Sequence, residues 1–318
     1  MLQAQLGEDY QVVRELGRGG MGVIFLARDV KLHRLVAVKV LRQEFAHSEE
    51  HRERFRREAR VAARLTHPNV VAVHTYDESP DLVYLVMRYV HGESLGVRLR
   101  REGKIEAESA RRMLAELALA LEHAHREGVV HRDLKPENIL LEHGTDRPLL
   151  TDFGVALICS ADPGPDDVQR AFGTPQYMSP EQAAGEVDLD GRSDVYSLGV
   201  LAYAMLSGDV PFDGPSFGAI AAQHIAAPHA PLAEVAPGLP GALVAVVERC
   251  LAKERGDRWQ SARELHDALV ACERRPRGLG WVTRGALGLR GLGRSRVAAA
   301  VAVAATALKH LMLRWPGI

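Results

Sequence analysis

Cysteine is scarce in this sequence and poorly spaced for chemistry. Cys159, Cys250 and Cys272 are the only three in 318 residues. They show no paired spacing and no Cys/His pattern, which excludes a disulfide framework and a zinc-finger type of site. Reduced thiols in a cytosolic body are the expectation, and Cys159 reads as an idle thiol before a redox sensor. Aromatic residues make up only 5%, while Ala, Arg and Gly are plentiful. An excess of one charge is also missing. With 40 Lys/Arg against 41 Asp/Glu the formal net charge is −1, which by itself nominates neither nucleic acid nor membrane as a partner. Residues 1–9 lack a basic n-region and an apolar h-region, so no secretory signal is read there. Repeats and low-complexity tracts are absent from 1–272. What is there is an ordinary globular balance, 47% hydrophobic and 25% charged. The length suits one large or two small domains with ample buried core.

The charge is unevenly distributed. Residues 274–318 hold nine Lys/Arg and no acid, so residues 1–273 carry 31 Lys/Arg against 41 acids, a net of −10. Seven arginines between 274 and 296 precede an apolar run over 297–308, which extends to 313 only by accepting Lys309 and His310. A helix over 297–313 is about 25 Å long, short of the roughly 30 Å hydrocarbon core. A short membrane span, an interfacial helix and a plain soluble tail all stay open. The first two share attachment through 274–318 to anionic lipid from the cytoplasmic side.

The chemistry concentrates in His131-Arg132-Asp133-Leu134-Lys135-Pro136-Glu137-Asn138, with Asp152-Phe153-Gly154 following fourteen residues after Asn138. This array supplies what phosphoryl transfer needs: a carboxylate beside the incoming hydroxyl and oxygen ligands for Mg²⁺, held in one geometry. Asp133 is expected to accept or orient the hydroxyl proton. Asn138 and Asp152 are expected to hold the metal ions that bridge nucleotide phosphates. Lys135 reaches the γ-phosphoryl as a point charge. Short apolar strands are expected on either side, at Val129-Val130 and Ile139-Leu140-Leu141. A charged surface turn is the bland alternative for either motif alone; the two in this order argue against it.

Upstream, residues 10–16 read as a strand entering Gly17-Arg18-Gly19-Gly20-Met21-Gly22, and 23–27 as a second strand. Glycines at 17, 19 and 22 fit G-x-G-x-x-G. A dinucleotide fold requires a helix after such a loop, whereas an apolar, β-branched run follows here, so the loop is a hairpin tip. Glycine lets its backbone N–H groups approach phosphate oxygens. Residues 35–41 read as a strand covered on both faces, with Lys39 its one charge. A charge there is costly unless paired. Its partner is expected from the helix over 49–65, whose apolar stripe is Phe55, Ala59, Ala62 and Ala63. Glu58 is preferred over Glu53, because Ala59, Ala62 and Ala63 mark the packed face. Pro68 ends this helix, and strands are expected over 70–76 and 82–87.

These ordered motifs resemble the bacterial Hanks-type (eukaryotic-like) serine/threonine protein kinases over residues 10 to about 272. The resemblance implies an α+β, bilobal protein-kinase fold, with a small β-rich N-lobe (10–90) and a larger helical C-lobe (91–272), followed by the basic tail 273–318. It implies ATP as cofactor with Mg²⁺, Mn²⁺ being an alternative. Lys39 then meets the α/β-phosphates and Glu58. Met87 becomes the gatekeeper and Arg88-Tyr89-Val90 the hinge, with backbone groups of Arg88 and Val90 pairing with adenine. Leu16, Ile24, Ala37 and Leu140 sandwich the ring, and Gly17, Gly19, Gly20 and Gly22 cover the phosphates. Ile24 stands where the family has valine, and Arg88 where relatives often carry an acid. Both departures are expected to be tolerated, since adenine is read by backbone groups and apolar bulk.

In the C-terminal half, 109–127 reads as a helix with the stripe Met113, Leu114, Leu117 and Leu121, stopped by Gly128. His123 and His125 on it are taken as ordinary core or surface residues, because i,i+2 side chains point apart. By resemblance, Ser179-Pro180-Glu181 matches the family's A-P-E, with Glu181 paired to Arg258, and Asp194 braces the catalytic-loop backbone. Thr174 is expected to bond toward Asp133 and Lys135. Lys135 and Thr174 favour serine/threonine over tyrosine as acceptor. Glu137 offers a carboxylate to a basic residue just before the acceptor. Helices are also read over 195–206, 241–252 and 261–272. Arg132 is of the kind that docks a phosphorylated activation segment. Between Gly154 and Gly173, however, Ser160 is the only hydroxyl, and Asp166 or Asp167 is read as a replacement for the phosphate. Protein substrates bearing Ser/Thr follow as partners, with membrane lipid through the tail and no nucleic acid. A pseudokinase scaffold and a small-molecule phosphotransferase are the competing readings. The first lacks its usual loss of Lys39, Asp133, Asn138 or Asp152. The second does not account for Thr174, Ser-Pro-Glu and Asp194.

Overall fold

Runs of Val, Leu and Ile broken by short turns build the N-terminal half of the protein. The structure, a computed structural model, describes residues 6, 8–19, 22–80, 82–153 and 174–273. Strands β1 (Tyr10–Arg18), β2 (Gly22–Asp29) and β3 (Arg34–Leu41) are followed by a one-turn helix α1 (Gln43–Ala46) and by α2 (Glu49–Arg64). Strands β4 (Val73–Ser79) and β5 (Leu82–Arg88) complete an antiparallel sheet in the order β1-β2-β3-β5-β4. β3 lies inside the sheet, and Val36, Ala37, Val38, Val40 and Leu41 are buried. α2 turns Phe55 and Ala59 into the core beside Leu41, Val83 and Leu85. Ala63 is exposed, so the buried stripe is narrower than expected.

Past the end of β5 the chain becomes mostly helical. β6 (Gly92–Ser94) leads into α3 (Leu95–Glu102) and the long α4 (Ala107–Arg126). Met113, Leu114, Leu117 and Leu121 on α4 are all at most 5% exposed, as their helical spacing requires. Then come β7 (Ile139–Glu142) and β8 (Pro148–Leu150), which form a three-stranded sheet with β6. The C-terminal elements are α5 (Pro180–Ala183), α6 (Gly191–Ser207), α7 (Phe217–Ala226), α8 (Leu232–Val235), α9 (Gly241–Cys250) and α10 (Ala262–Ala271). Every residue of α6 from Ser193 to Leu206 is buried, as expected of a helix with apolar side chains almost all round. Gly199 lets α9 approach closely: a Cβ there would lie 2.4 Å from Cys250 Cβ.

Two local expectations need correction. Val129-Val130 is not a strand, because the Val129 amide donates to Ala124 O (2.9 Å) and closes the end of α4. The strand expected over 70–76 begins at Val73. Val70 makes an isolated parallel bridge to Leu150 instead, and the Val71 amide donates to Leu150 O at 2.9 Å. That stitch fastens the five-stranded half to β8, which runs directly into Asp152.

Candidate functional site

Lys39 stands in β3 opposite Ile24 of β2 and Leu85 of β5, so the sheet fixes its backbone on both sides. Its Nζ donates to Glu58 Oε1 at 2.6 Å and to Asp152 Oδ1 at 2.8 Å. Burial alone would lower the lysine's pKa, but the Asp152 and Glu58 carboxylates outweigh it and hold Lys39 above its usual value. Burial raises Glu58, with Lys39 opposing. At Asp152 burial pushes up as well, and Lys39 more than cancels it, leaving that carboxyl below its usual range. Glu53, the other candidate partner, pairs with Arg56.

The catalytic-loop motif is held in an unusual backbone conformation. Arg132 has φ = 67° and Asp152 has φ = 54°, a region that costs side-chain-bearing residues energy unless the surroundings impose it. At Arg132 the imposing group is Asp194 of α6. Its carboxylate accepts from His131 N (2.8 Å) and Arg132 N (2.9 Å), and lies 2.7 Å from His125 Nε2. Burial raises the Asp194 pKa, but the His125 contact and the other donors win and lower it. Gln182 of α5 adds a second tie, donating its Nε2 to Arg132 O at 2.7 Å. His131 is fully buried, and burial keeps it below its usual pKa. It is therefore neutral, with Nδ1 accepting from Asp133 N (3.3 Å) and Nε2–H donating to Thr151 O (3.2 Å). Its ring lies 4.6 Å from that of Phe153.

On this scaffold, Lys135 Nζ lies 2.7 Å from Asp133 Oδ2, and Asn138 Nδ2 donates to the same oxygen at 2.9 Å and to Asp133 O at 2.8 Å. Asn138 thus keeps its amide oxygen for another partner. Oxygens from one amide and one carboxylate suit a hard cation such as Mg²⁺, which keeps water and phosphate oxygens for its remaining positions. Among the described residues there is no cluster of three or more His, Cys, Asp or Glu that could hold a metal ion.

Leu16, Ile24, Ala37, Met87, Val90 and Leu140 converge in one apolar cluster, joined by Val71 and Leu149, which were not singled out from the sequence. The Arg88 amide is engaged by Ala72 O (2.8 Å), and the Arg88 side chain pairs with Glu142 at 2.6 Å. At the glycine loop, Gly19 N donates to Gly22 O (2.8 Å), and a Cβ on Gly22 would press against Val40 O at 3.0 Å. Gly17 lies at the open end of β1, and Gly20 falls outside the described residues.

Thr174 immediately precedes the one-turn 3₁₀ helix Pro175–Tyr177, and among the described residues its side chain makes no hydrogen bond to Asp133 or Lys135. Glu137 is half-exposed and has Arg100 Nη1 at 3.4 Å, so its carboxylate already faces a cation. Glu181 and Arg258 form a buried two-pronged pair, at 2.8 and 2.9 Å, with the Ser193 hydroxyl also on Glu181. His125 and Gln182 escaped the sequence reading. Their partners lie 69 and 50 residues away, and no local spacing carries that signal. Cys159, Ser160, Asp166, Asp167 and the tail 274–318 lie outside the described residues.

The protein kinase domain signature matches residues 10–269. The chain is similar to the serine/threonine-protein kinase PknB of Mycobacterium tuberculosis, 42% identical over 273 residues that cover 84% of this chain and 43% of that protein. It is also similar to PrkC of Bacillus subtilis, 36% identical over 256 residues, covering 80% and 39%. The chain therefore spans less than half the length of these relatives. Among solved structures, the Mycobacterium tuberculosis PknI kinase domain superposes with a TM-score of 0.64 at 32% identity, covering 83% of this chain and 96% of that one.

Proposed function

The chain belongs to the protein kinase family, in its bacterial Hanks-type serine/threonine branch, and from that premise we propose that it transfers the γ-phosphoryl of ATP to serine and threonine hydroxyls of proteins, its own included. The observation that carries this reading is the joint arrangement of Lys39 between Glu58 and Asp152 and of Asp133 between Lys135 and Asn138. With that quartet of Lys39, Asp133, Asn138 and Asp152 intact, a pseudokinase reading has no lost residue to rest on.

The contacts support a role for each residue. Two donors converge on Asp133 Oδ2, so Oδ1 is left to accept the proton of the acceptor hydroxyl. The hydroxyl oxygen bonds to the γ-phosphorus, the bond to the β-phosphate oxygen breaks, and ADP leaves with those electrons. Lys39, kept cationic by its two carboxylates, holds the α/β-phosphates, and Lys135 neutralises charge on the γ-phosphoryl oxygens. Asn138 and Asp152 would hold Mg²⁺ or Mn²⁺, which supplies charge neutralisation between the β- and γ-phosphates. The cluster of Leu16, Ile24, Ala37, Met87, Val90 and Leu140 takes the adenine ring. Because the Arg88 amide is engaged by Ala72, pairing to adenine falls to the Arg88 carbonyl and the Val90 amide. The glycines of the β1–β2 loop cover the phosphates. Thr174 acts from the edge of the acceptor site, and Glu137 favours a basic residue before the acceptor once Arg100 swings aside.

We assign 10–272 to the kinase domain, working on the cytoplasmic side, and 273–318 to membrane attachment. Incubation with labelled ATP, Mg²⁺ and a generic basic protein tests the function. Wild type is expected to label serine and threonine, and Asp133→Asn is expected to label nothing above background. Equal labelling by both overturns the assignment.

A further inference from the structure

His224 is a buried imidazole for which the phosphoryl-transfer chemistry has no use. It lies on α7, is 0% exposed, and has two ordered partners. The Tyr196 hydroxyl is 3.0 Å from Nδ1, and Gln176 O is 3.1 Å from Nε2. A carbonyl only accepts, so Nε2 carries the hydrogen and Nδ1 accepts from the tyrosine. The tautomer is fixed by α6, and the donor it creates points at the chain segment 174–178. Rings of Phe212 and Tyr196 flank the imidazole at 4.9 and 5.7 Å. Lys253 caps the carbonyls of Gln223 and His224 at 3.0 and 2.8 Å, closing the end of α7.

The segment held in this way borders the catalytic loop. Gln176 Nε2 also donates to Asp213 Oδ1 at 3.1 Å, so residue 176 is fixed by both its carbonyl and its side chain. The next residue, Tyr177, walls a groove of about 310 Å³ together with Pro136 and Glu137 of the catalytic loop and Leu99 and Val210. Three residues beyond Gln176, Ser179 and Gln182 make a reciprocal capping box, and Gln182 is the side chain that ties back to Arg132 O. One short segment therefore runs from the catalytic loop, along a groove, to a latch on α7.

We propose that His224 is a positioning residue for the protein substrate, holding the 174–178 turn, and with it the Tyr177 wall, where an extended acceptor peptide enters beside Asp133. The proposal rests on the kinase reading above. Its effect is on peptide binding and not on the nucleotide, since none of the contacts of His224 reaches the Lys39 or adenine cluster.

The test uses the full chain, ATP and a basic peptide containing one serine. His224→Phe keeps the ring volume and removes the donor, and is expected to raise the peptide KM about five-fold, the worth of one hydrogen bond, with the ATP KM unchanged. His224→Gln keeps a donor at the position of Nε2 and is expected to restore the peptide KM to near wild type. Tyr196→Phe, which frees the tautomer without touching the turn, is expected to shift the peptide KM in the same direction and serves if His224→Phe does not fold. An unchanged peptide KM in His224→Phe, or in Tyr196→Phe if His224→Phe does not fold, overturns the proposal. So does an equal rise in both KM values, or a Gln variant no better than Phe. Absence of any transfer by wild type would instead overturn the kinase reading itself.

Discussion

Lys39 keeps its positive charge within the apolar run 35–41 of β3 because two carboxylates flank it. Removing that charge leaves Glu58 and Asp152 facing each other without a cation. Lys39→Met is expected to cut transfer to a basic protein by about 10³-fold or more, with the far-UV circular dichroism spectrum unchanged. A variant retaining a tenth of wild-type rate rules the role out. The need for a partner was legible beforehand, since a single charge in an apolar run demands one; of the alanines taken to mark the packed face around Glu58, Ala59 is buried and Ala63 is exposed. Thr174 was less legible. Only the family resemblance implied its bond toward Asp133 and Lys135, and among the described residues it is Lys135 and Asn138 that bond the Asp133 Oδ2 oxygen. His125 was set aside because its spacing from His123 forbids a shared ligand. That reasoning was sound, yet it had no access to Asp194, which becomes its partner only through packing of α6 on α4.

At the scale of elements, periodicity served well where one face is buried and poorly where the chain turns. The stripe on α4 and the all-round burial of α6 follow from side-chain spacing alone. The Val129-Val130 pair misled because two apolar residues look alike in a strand and in the close of a helix, where Ala124 takes the amide. The left-handed backbone of Arg132 could not be read from its side chain, since it is imposed by acceptors on a distant helix. That dependence is testable. Asp194→Asn keeps the shape but replaces one of two oxygens that accept from His131 N, Arg132 N and His125. The loop should relax, lowering kcat about a hundredfold through misplacement of Asp133, while the ATP KM stays near wild type. A kcat within two-fold of wild type, about 0.4 kcal/mol in the barrier, excludes the brace.

Taken whole, the molecule carries a built-in acid sensitivity. Burial holds His224 down to about 4, against an ordinary 6.5. Between those values the unfolded chain binds a proton that the folded chain refuses, so stability rises with pH across the window and is lost as pH falls through it. His131, also lowered by burial, acts in the same direction. For His224 the loss amounts to about 3 kcal/mol. Urea midpoints measured between pH 6.5 and 4.5 should fall more steeply for wild type than for His224→Gln, and parallel slopes would exclude the effect. The basic tail is tested by fractionation. The full chain is expected with membranes and a chain ending at 272 in the soluble pool, and two soluble chains would rule out attachment. One further consequence concerns synthesis. The acceptors that twist Arg132 belong to a residue made 62 positions later, so at about 5–20 residues per second the loop emerges from the ribosome several seconds before its clamp. The catalytic loop is thus expected to reach its working shape only once α6 has been translated and packed, and protection of the loop from protease in stalled chains should begin only once Asp194 is outside the exit tunnel.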